Sequence, residues 1–212
     1  VKRRNTDVCR NERSTKGESV LMLSPKKSAV TFCDVTTVSD EIQWRILEWR
    51  NSSFVRSQML RQHPISREEH GAWLAGQRSG TGETRCRVAH VGDKPFGVVS
   101  LHHIDMRAGN SDWGMYIGEK EFLGKGLGRV LLAEILRWGF EEMNLRRLYT
   151  SVLATNAQAL DLYLKAGFSQ EGRWREHVLC ETGDRRDLLW IGMLRDEWEA
   201  EKHRILQWAL SR

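Results

Sequence analysis

The chain has 212 residues, 40% of them hydrophobic, a formal charge of +5 and four cysteines. That length suits one domain, or one domain with a tail, and the apolar fraction is enough for a real core. No run approaches the roughly 20 apolar residues of a membrane span, the charged first residues lack the apolar centre of a secretory signal, and Cys9, Cys33, Cys86 and Cys180 include no C-x-x-C pair, which argues against zinc or a disulfide framework and predicts reduced thiols.

The positive charge is local. Residues 1–30 hold eight Lys/Arg against Asp7, Glu12 and Glu18, which is the whole net charge, so residues 31–212 balance to zero. The reading is a basic, disordered tail over 1–30 and a single domain with a C-terminal helix over 31–212. Neither nucleic acid nor membrane is expected as a partner, a homodimer is left open, and a cytoplasmic protein is expected.

The β-branched "TFCDVTTV" predicts a first strand. "SDEIQWRILEWRN" follows as a helix capped by Ser39 or Asp40, with Ile42, Ile46 and Trp49 at helical spacing. "NSSFVRSQM" predicts a turn and a short helical piece, and Ser66 with Glu69 forms a capping box for a further helix. "TRCRVAHV", "GDKP" and "FGVVSLHHI" make a hairpin, and "SDWGMYIG" is the next strand. It runs into "LGKGLGR" and then an amphipathic helix. "LRRLYTSVL" is a strand, "NAQALDLYLKAGF" a helix ending at Gly167, "REHVLCETGDRRDLLWIGML" a hairpin and "RDEWEAEKHRILQWAL" a closing helix. The order βαα–ββ–β–α–β–α–ββ is a mixed α/β layer architecture.

Strand, alternating glycines, helix is a phosphate-binding arrangement. The helix N-terminus offers unpaired N–H groups and a partial positive charge, and glycines let the backbone approach the ligand. Lys125 and Arg129 add cations. An ordinary glycine-rich turn would look the same, so the loop alone does not decide. It lacks G-K-[ST], which excludes a Walker A loop, and it comes too late in the chain for a dinucleotide fold.

Taken with "NAQALDLYLKAGFSQEG" downstream, the loop resembles the GCN5-related N-acetyltransferase superfamily, over about Thr31 to Arg195. The resemblance implies an α/β fold with a central, mostly antiparallel sheet whose splayed strands are flanked by helices. It also implies acetyl-CoA as co-substrate and no metal. By position, backbone amides near Leu123, Lys125, Gly126, Gly128 and Arg129 would bind the pyrophosphate. Met115 and Ile117 would offer backbone groups to the pantetheine, and Asn156 would hydrogen-bond it. Tyr163 would protonate the departing thiolate. Leu123 stands where the family prefers Gln or Arg.

The family shares chemistry and not acceptor. "LEWRNSSFVRSQM" and "HPISREEHGAWL" resemble the branch of ribosomal-protein, polyamine and pseudaminic-acid pathway acetyltransferases. The last of these acts on the 4-amino group of a UDP-linked 4-amino-4,6-dideoxy sugar, and that acceptor is the expectation here. Protein N-termini, polyamines, or acetyl-CoA binding without catalysis are the alternatives. Acceptor candidates are Arg50, His70, His103 (chosen over His102, since only one of the two faces the cleft) and Trp174. Ser151 lies on the strand facing the cofactor gap. No carboxylate stands at its position, so a water relay is expected to take the amine proton.

Overall fold

The alternating apolar segments pair into one eight-stranded sheet with the order β1-β2-β3-β4-β5-β6-β8-β7. The computed structural model describes residues 19–21, 29–80 and 82–211. The strands are β1 Ser19–Leu21, β2 Val30–Asp34, β3 Arg85–Val91, β4 Lys94–Asp105, β5 Asn110–Ile117, β6 Arg147–Leu153, β7 Ser169–Leu179 and β8 Arg185–Leu194. The helices are α1 Asp40–Asn51, α2 Ser53–Arg56, α3 Arg67–Ser79, α4 Leu127–Arg137, α5 Ala157–Lys165 and α6 Arg195–Leu210. Every pairing is antiparallel except β5 with β6.

The helix starts follow the local chemistry. The Ser39 side chain accepts from Ile42 N, and Ser66 with Glu69 closes the capping box of α3. Gly167, just past α5, has φ 103°, a conformation that a side chain would strain. Three features differ from the expectation. Ser19–Leu21 pairs with β2, so an edge strand lies within the segment read as a tail; most of that segment lies outside the described residues. β7 begins at Ser169 and not near Arg175, because register shifts after Gln170 and after Trp174 break its alternation. Cys86 and Cys180 are free and buried, whereas Cys33, read as a reduced thiol, is disulfide-bonded.

Two layers of core flank the sheet. On one face Cys86, Val88 and Val98 pack under Ile46, Trp49 and Leu74 of α1 and α3. On the other, Val99, Leu101, Trp113, Leu148 and Ile191 pack against α4, α5 and α6. Arg87 of β3 pins α4 to the sheet. Its Nη1 donates to Glu134 Oε1 at 2.6 Å, its Nη2 to Glu142 Oε2 at 2.5 Å, and its guanidinium lies 4.1 Å from the Trp138 ring centre. Arg137 joins the same carboxylates, its Nη2 donating to Glu134 Oε2 at 2.9 Å and its Nη1 pairing with Glu142 Oε1 at 2.6 Å, so the buried charges are shared in a network of two arginines and two glutamates. Gly118, at the end of β5, lies flat under Trp49: a Cβ there would sit 2.2 Å from the indole. Trp49 Nε1 donates to Glu119 Oε1 at 2.9 Å, which fixes α1 to the exit of β5.

Candidate active site

The one parallel pairing in the sheet is short. β5 and β6 pair at Asn110–Arg147, Ser111–Leu148 and Asp112–Tyr149 and then separate. The Thr150 hydroxyl donates to Trp113 O at 2.8 Å and is the last bridge between them. Backbone direction alternates with period two along a strand. Since Trp113 O points toward β6, the backbone groups of Met115 and Ile117 point the same way, into the opening. A cavity of about 1070 Å³ fills this wedge and runs on beneath α1 and α3. An extended chain carrying amides matches such an unpaired edge.

The glycine loop forms one mouth of the cavity. Gly124 has φ 72° and Gly126 φ 77°, and Gly126 caps α4 without a side-chain bond. Leu123, Gly124, Gly126, Gly128 and Arg129 line the mouth. Two of the expected amides are engaged by the chain itself: Leu123 N donates to Lys120 O and Arg129 N to Gly126 O. The amides of Lys125, Gly126 and Gly128 remain as the phosphate-facing candidates. The Lys125 side chain lies outside the lining, its ammonium 5.3 Å from the Phe122 ring centre. The Arg129 side chain is also not free: it donates to Trp208 O, Ser211 Oγ and Ser211 O at the end of α6.

α5 supplies the next two residues. Asn156 caps the helix by accepting from Ala159 N at 3.2 Å, which leaves its Nδ2 to serve the cavity it lines. Tyr163, two turns on, is buried, its ring edge-on to Trp113 at 4.9 Å. Burial holds its hydroxyl protonated well above the usual phenol range, so it can act as a proton donor and not as a base.

The far end of the cavity is built from side chains. Asp112 and His102 stand opposite each other on β5 and β4. Gly114 makes room for the imidazole, since a Cβ there would lie 3.2 Å from His102 Cε1. Burial pushes the Asp112 carboxyl up and the His102 imidazole down, each against the attraction of the other. A carboxylate held above its ordinary range is a better proton acceptor, and a neutral imidazole beside it can pass a proton on. No carboxylate stands at the Ser151 position, but one lines the cavity close by: Asp112 stands across from Tyr149, two residues before Ser151 on the neighbouring strand. Ser151 itself lines the cavity.

Arg50, at the end of α1, also lines it. Its Nη2 donates to Arg61 O at 2.8 Å, while its Nη1 is buried without a partner. Burial lowers its pKa, the neighbouring Arg61 and Arg56 adding to the effect. His70 is buried between Trp44 and Trp73, and its Nε2 meets Gln43 O at 2.8 Å, which requires a proton on that nitrogen. It shapes the wall and holds α3 to α1.

Two expected acceptor residues do not reach the cavity. His103 sits in the irregular stretch of β4, at φ 47°, and its side chain is 74% exposed, so its neighbour His102 faces the cleft instead. Trp174 lies on the edge strand β7, 48% exposed, in edge-to-face contact with Trp190 and His177. Asp112 is missing from the candidates, and His102 is passed over for His103, because each sits in an unremarkable strand pattern; the glycine in "DWGM" is a local sign of a ring packed over the backbone. Among the described residues no group of His, Cys, Asp and Glu could hold a metal ion, and no helix is long and apolar enough to cross a membrane.

Residues 37–169 match the family model of the acetyltransferase (GNAT) domain. YdaF of Bacillus subtilis (strain 168), provisionally named a ribosomal N-acetyltransferase, is 32% identical over 106 residues, 50% of this chain and 57% of that protein. The acetyltransferase PseH of Campylobacter jejuni is 28% identical over 148 residues, 69% of this chain and 89% of that protein. The chain thus spans little more than half the length of YdaF. A crystal structure of spermidine N-acetyltransferase from Vibrio cholerae, in complex with CoA and spermine, superimposes with a TM-score of 0.72 at 22% identity, over 80% of this chain and 98% of that one. With the domain match covering more than half of its residues, the chain belongs to the GNAT acetyltransferase family.

Proposed function

We propose that the protein is an acetyl-CoA-dependent N-acetyltransferase whose acceptor is a UDP-linked 4-amino-4,6-dideoxy-N-acetyl sugar (UDP-4-amino-4,6-dideoxy-N-acetyl-β-L-altrosamine), as in pseudaminic acid biosynthesis. The donor fits the wedge: amides of Lys125, Gly126 and Gly128 for the diphosphate, the unpaired edge at Met115 and Ile117 with Asn156 for the pantetheine. The amine enters from the other end. Asp112, directly or through His102, takes the proton that an ammonium must lose before it attacks the thioester carbonyl. The C–N bond forms, the C–S bond breaks, Tyr163 gives its proton to the leaving thiolate, and the proton that the nitrogen sheds on becoming an amide returns to the Tyr163 phenolate.

The observation that carries the acceptor reading is the buried, unpartnered Nη1 of Arg50 on the cavity wall; its neighbours Arg61 and Arg56 are paired with Glu69 and Glu181. An unpaired guanidinium there suits a diphosphate oxygen and disfavours a polyamine. The reading also accords with PseH being a relative that this chain covers over most of its length. The relation to YdaF supports a second acceptor, a protein N-terminus, which the wall does not oppose. The test is release of free thiol from acetyl-CoA with the UDP-amino sugar, spermidine or an N-terminal peptide offered separately. Turnover on the sugar with kcat/KM at least 100-fold above the others is expected. Preference for the peptide or spermidine would sink the sugar assignment while leaving the acetyl transfer intact.

A further inference from the structure

The C-terminal helix α6 lies wholly outside the matched GNAT domain, which ends at residue 169. Yet its last turn reaches the donor mouth. Trp208 is half-buried, packs at the edge of the main core and lines the cavity beside Gly124, Gly126 and Arg129. Arg129 lies over it, the guanidinium carbon 5.7 Å from the ring centre. Three hydrogen bonds fix that guanidinium to the end of the helix: Nη1 to Trp208 O at 3.2 Å and to Ser211 Oγ at 3.1 Å, Nη2 to Ser211 O at 2.9 Å.

Those bonds use both protons of Nη1 and one of Nη2. The Nε–H and the second Nη2–H are left over, and they form one edge of the planar fork. That edge lies against the phosphate loop. At Gly126, the space of a side chain is occupied by Arg129: a Cβ would stand 2.7 Å from Nη2 and 3.5 Å from Nε. A planar cation with two free donors, held rigidly beside backbone amides, is suited to a phosphate oxygen pair. An indole face at the rim of the same mouth is suited to a flat heterocycle.

We propose that the end of α6 completes the donor site as a nucleotide subsite. Trp208 is the platform for the purine of the donor, and Arg129, positioned by Trp208 and Ser211, presents its Nε–Nη2 edge to one of the donor's phosphates. The inference rests on the proposed donor and adds to the loop's backbone amides two side-chain contacts that depend on α6. It also explains why Arg129 is tied to a helix end instead of extending into solvent.

The experiment is calorimetric binding of three ligands to the full chain: CoA, dephospho-CoA and 4′-phosphopantetheine, the last read by competition with CoA where it binds weakly. Trp208→Leu keeps apolar packing but removes the aromatic face, and Trp208→Phe restores most of that face. Trp208→Leu is expected to weaken CoA and dephospho-CoA by about 10-fold, within the range of a lost base stack. It should leave 4′-phosphopantetheine within two-fold, and Trp208→Phe should recover most of the loss. Arg129→Gln should weaken CoA by about 10-fold. A smaller loss for dephospho-CoA assigns the arginine to the 3′-phosphate, and an equal loss assigns it to the diphosphate. If Trp208→Leu weakens all three ligands in parallel, α6 acts only through the fold and the inference is overturned. Unchanged CoA binding in Trp208→Leu overturns it too. If the wild-type chain binds no CoA at all, the donor reading falls and takes the subsite with it.

Discussion

The two ends of the cavity are built from different materials. The donor end is mostly backbone: an unpaired strand edge at Met115 and Ile117, and amides of a loop whose glycines hold left-handed conformations. The acceptor end is side chains converging from separate elements, with Arg50 from α1, His102 from β4, Asp112 from β5 and Ser151 from β6. Backbone chemistry tolerates substitution around it and serves a donor common to a whole family. Side-chain chemistry changes with single residues, which is how one fold comes to serve many acceptors. Substitutions at the two ends should therefore fail in different ways.

The largest effect is expected at the junction. Asp112→Asn should lower kcat by 10²- to 10⁴-fold, the range for loss of general base catalysis, while CoA binding stays within two-fold. Its thermal stability should be equal or higher at neutral pH. The sign follows from burial: a carboxyl whose folded pKa is raised is harder to ionise folded than unfolded, so its stability penalty grows as pH rises from the ordinary carboxylate range through the raised value. A variant that keeps wild-type kcat removes Asp112 from the reaction.

Tyr163→Phe comes next, with kcat down by about 100-fold, the lower end of the range for a positioned acid, and unchanged KM for both substrates. The pH profile gives a third test without mutation. kcat/KM should fall on acidification through a pKa above the usual carboxylate range, because burial raises Asp112, and Asp112→Asn should flatten that limb. A limb at the ordinary carboxylate pKa would instead point to an exposed group.

Arg50→Gln should raise the acceptor KM by about 10-fold and leave the donor KM alone, as expected for a lost charge-assisted hydrogen bond. The sign is informative. A polycationic acceptor would bind better to this variant, and an improved spermidine KM alongside an unaffected sugar KM would reverse the acceptor assignment. The smallest effect is expected at Trp174→Ala, outside the cavity, where kcat/KM on any acceptor should stay within two-fold.

The same contrast governs what was legible in the sequence. The glycine loop, the Asn156 cap, the Ser66–Glu69 box and the hairpin turns each depend on neighbours a few residues apart, and all stand where local rules place them. Asp112 and His102 face each other only through the register of two strands, and the register passes through a bulge just beyond His102. That bulge also defeats simple alternation for choosing between His102 and His103. Trp174 was misplaced for a related reason: the register shifts of β7 hide which of its residues face inward. The fastening of Arg129 to Ser211 joins residues 82 positions apart, and nothing near either one announces it.

The seat of Trp49 on Gly118 has a kinetic consequence. Trp49 immediately precedes Arg50 of the acceptor wall, and Gly118 immediately follows β5 on the way to the glycine loop. A donor that settles the loop therefore also steadies the arginine that greets the acceptor. Ordered addition, with the acetyl donor first, is the expected sequence of events, and product-inhibition patterns would read it. Gly118→Ala, which would drive a methyl group into the indole, should turn that order random before it abolishes either binding step.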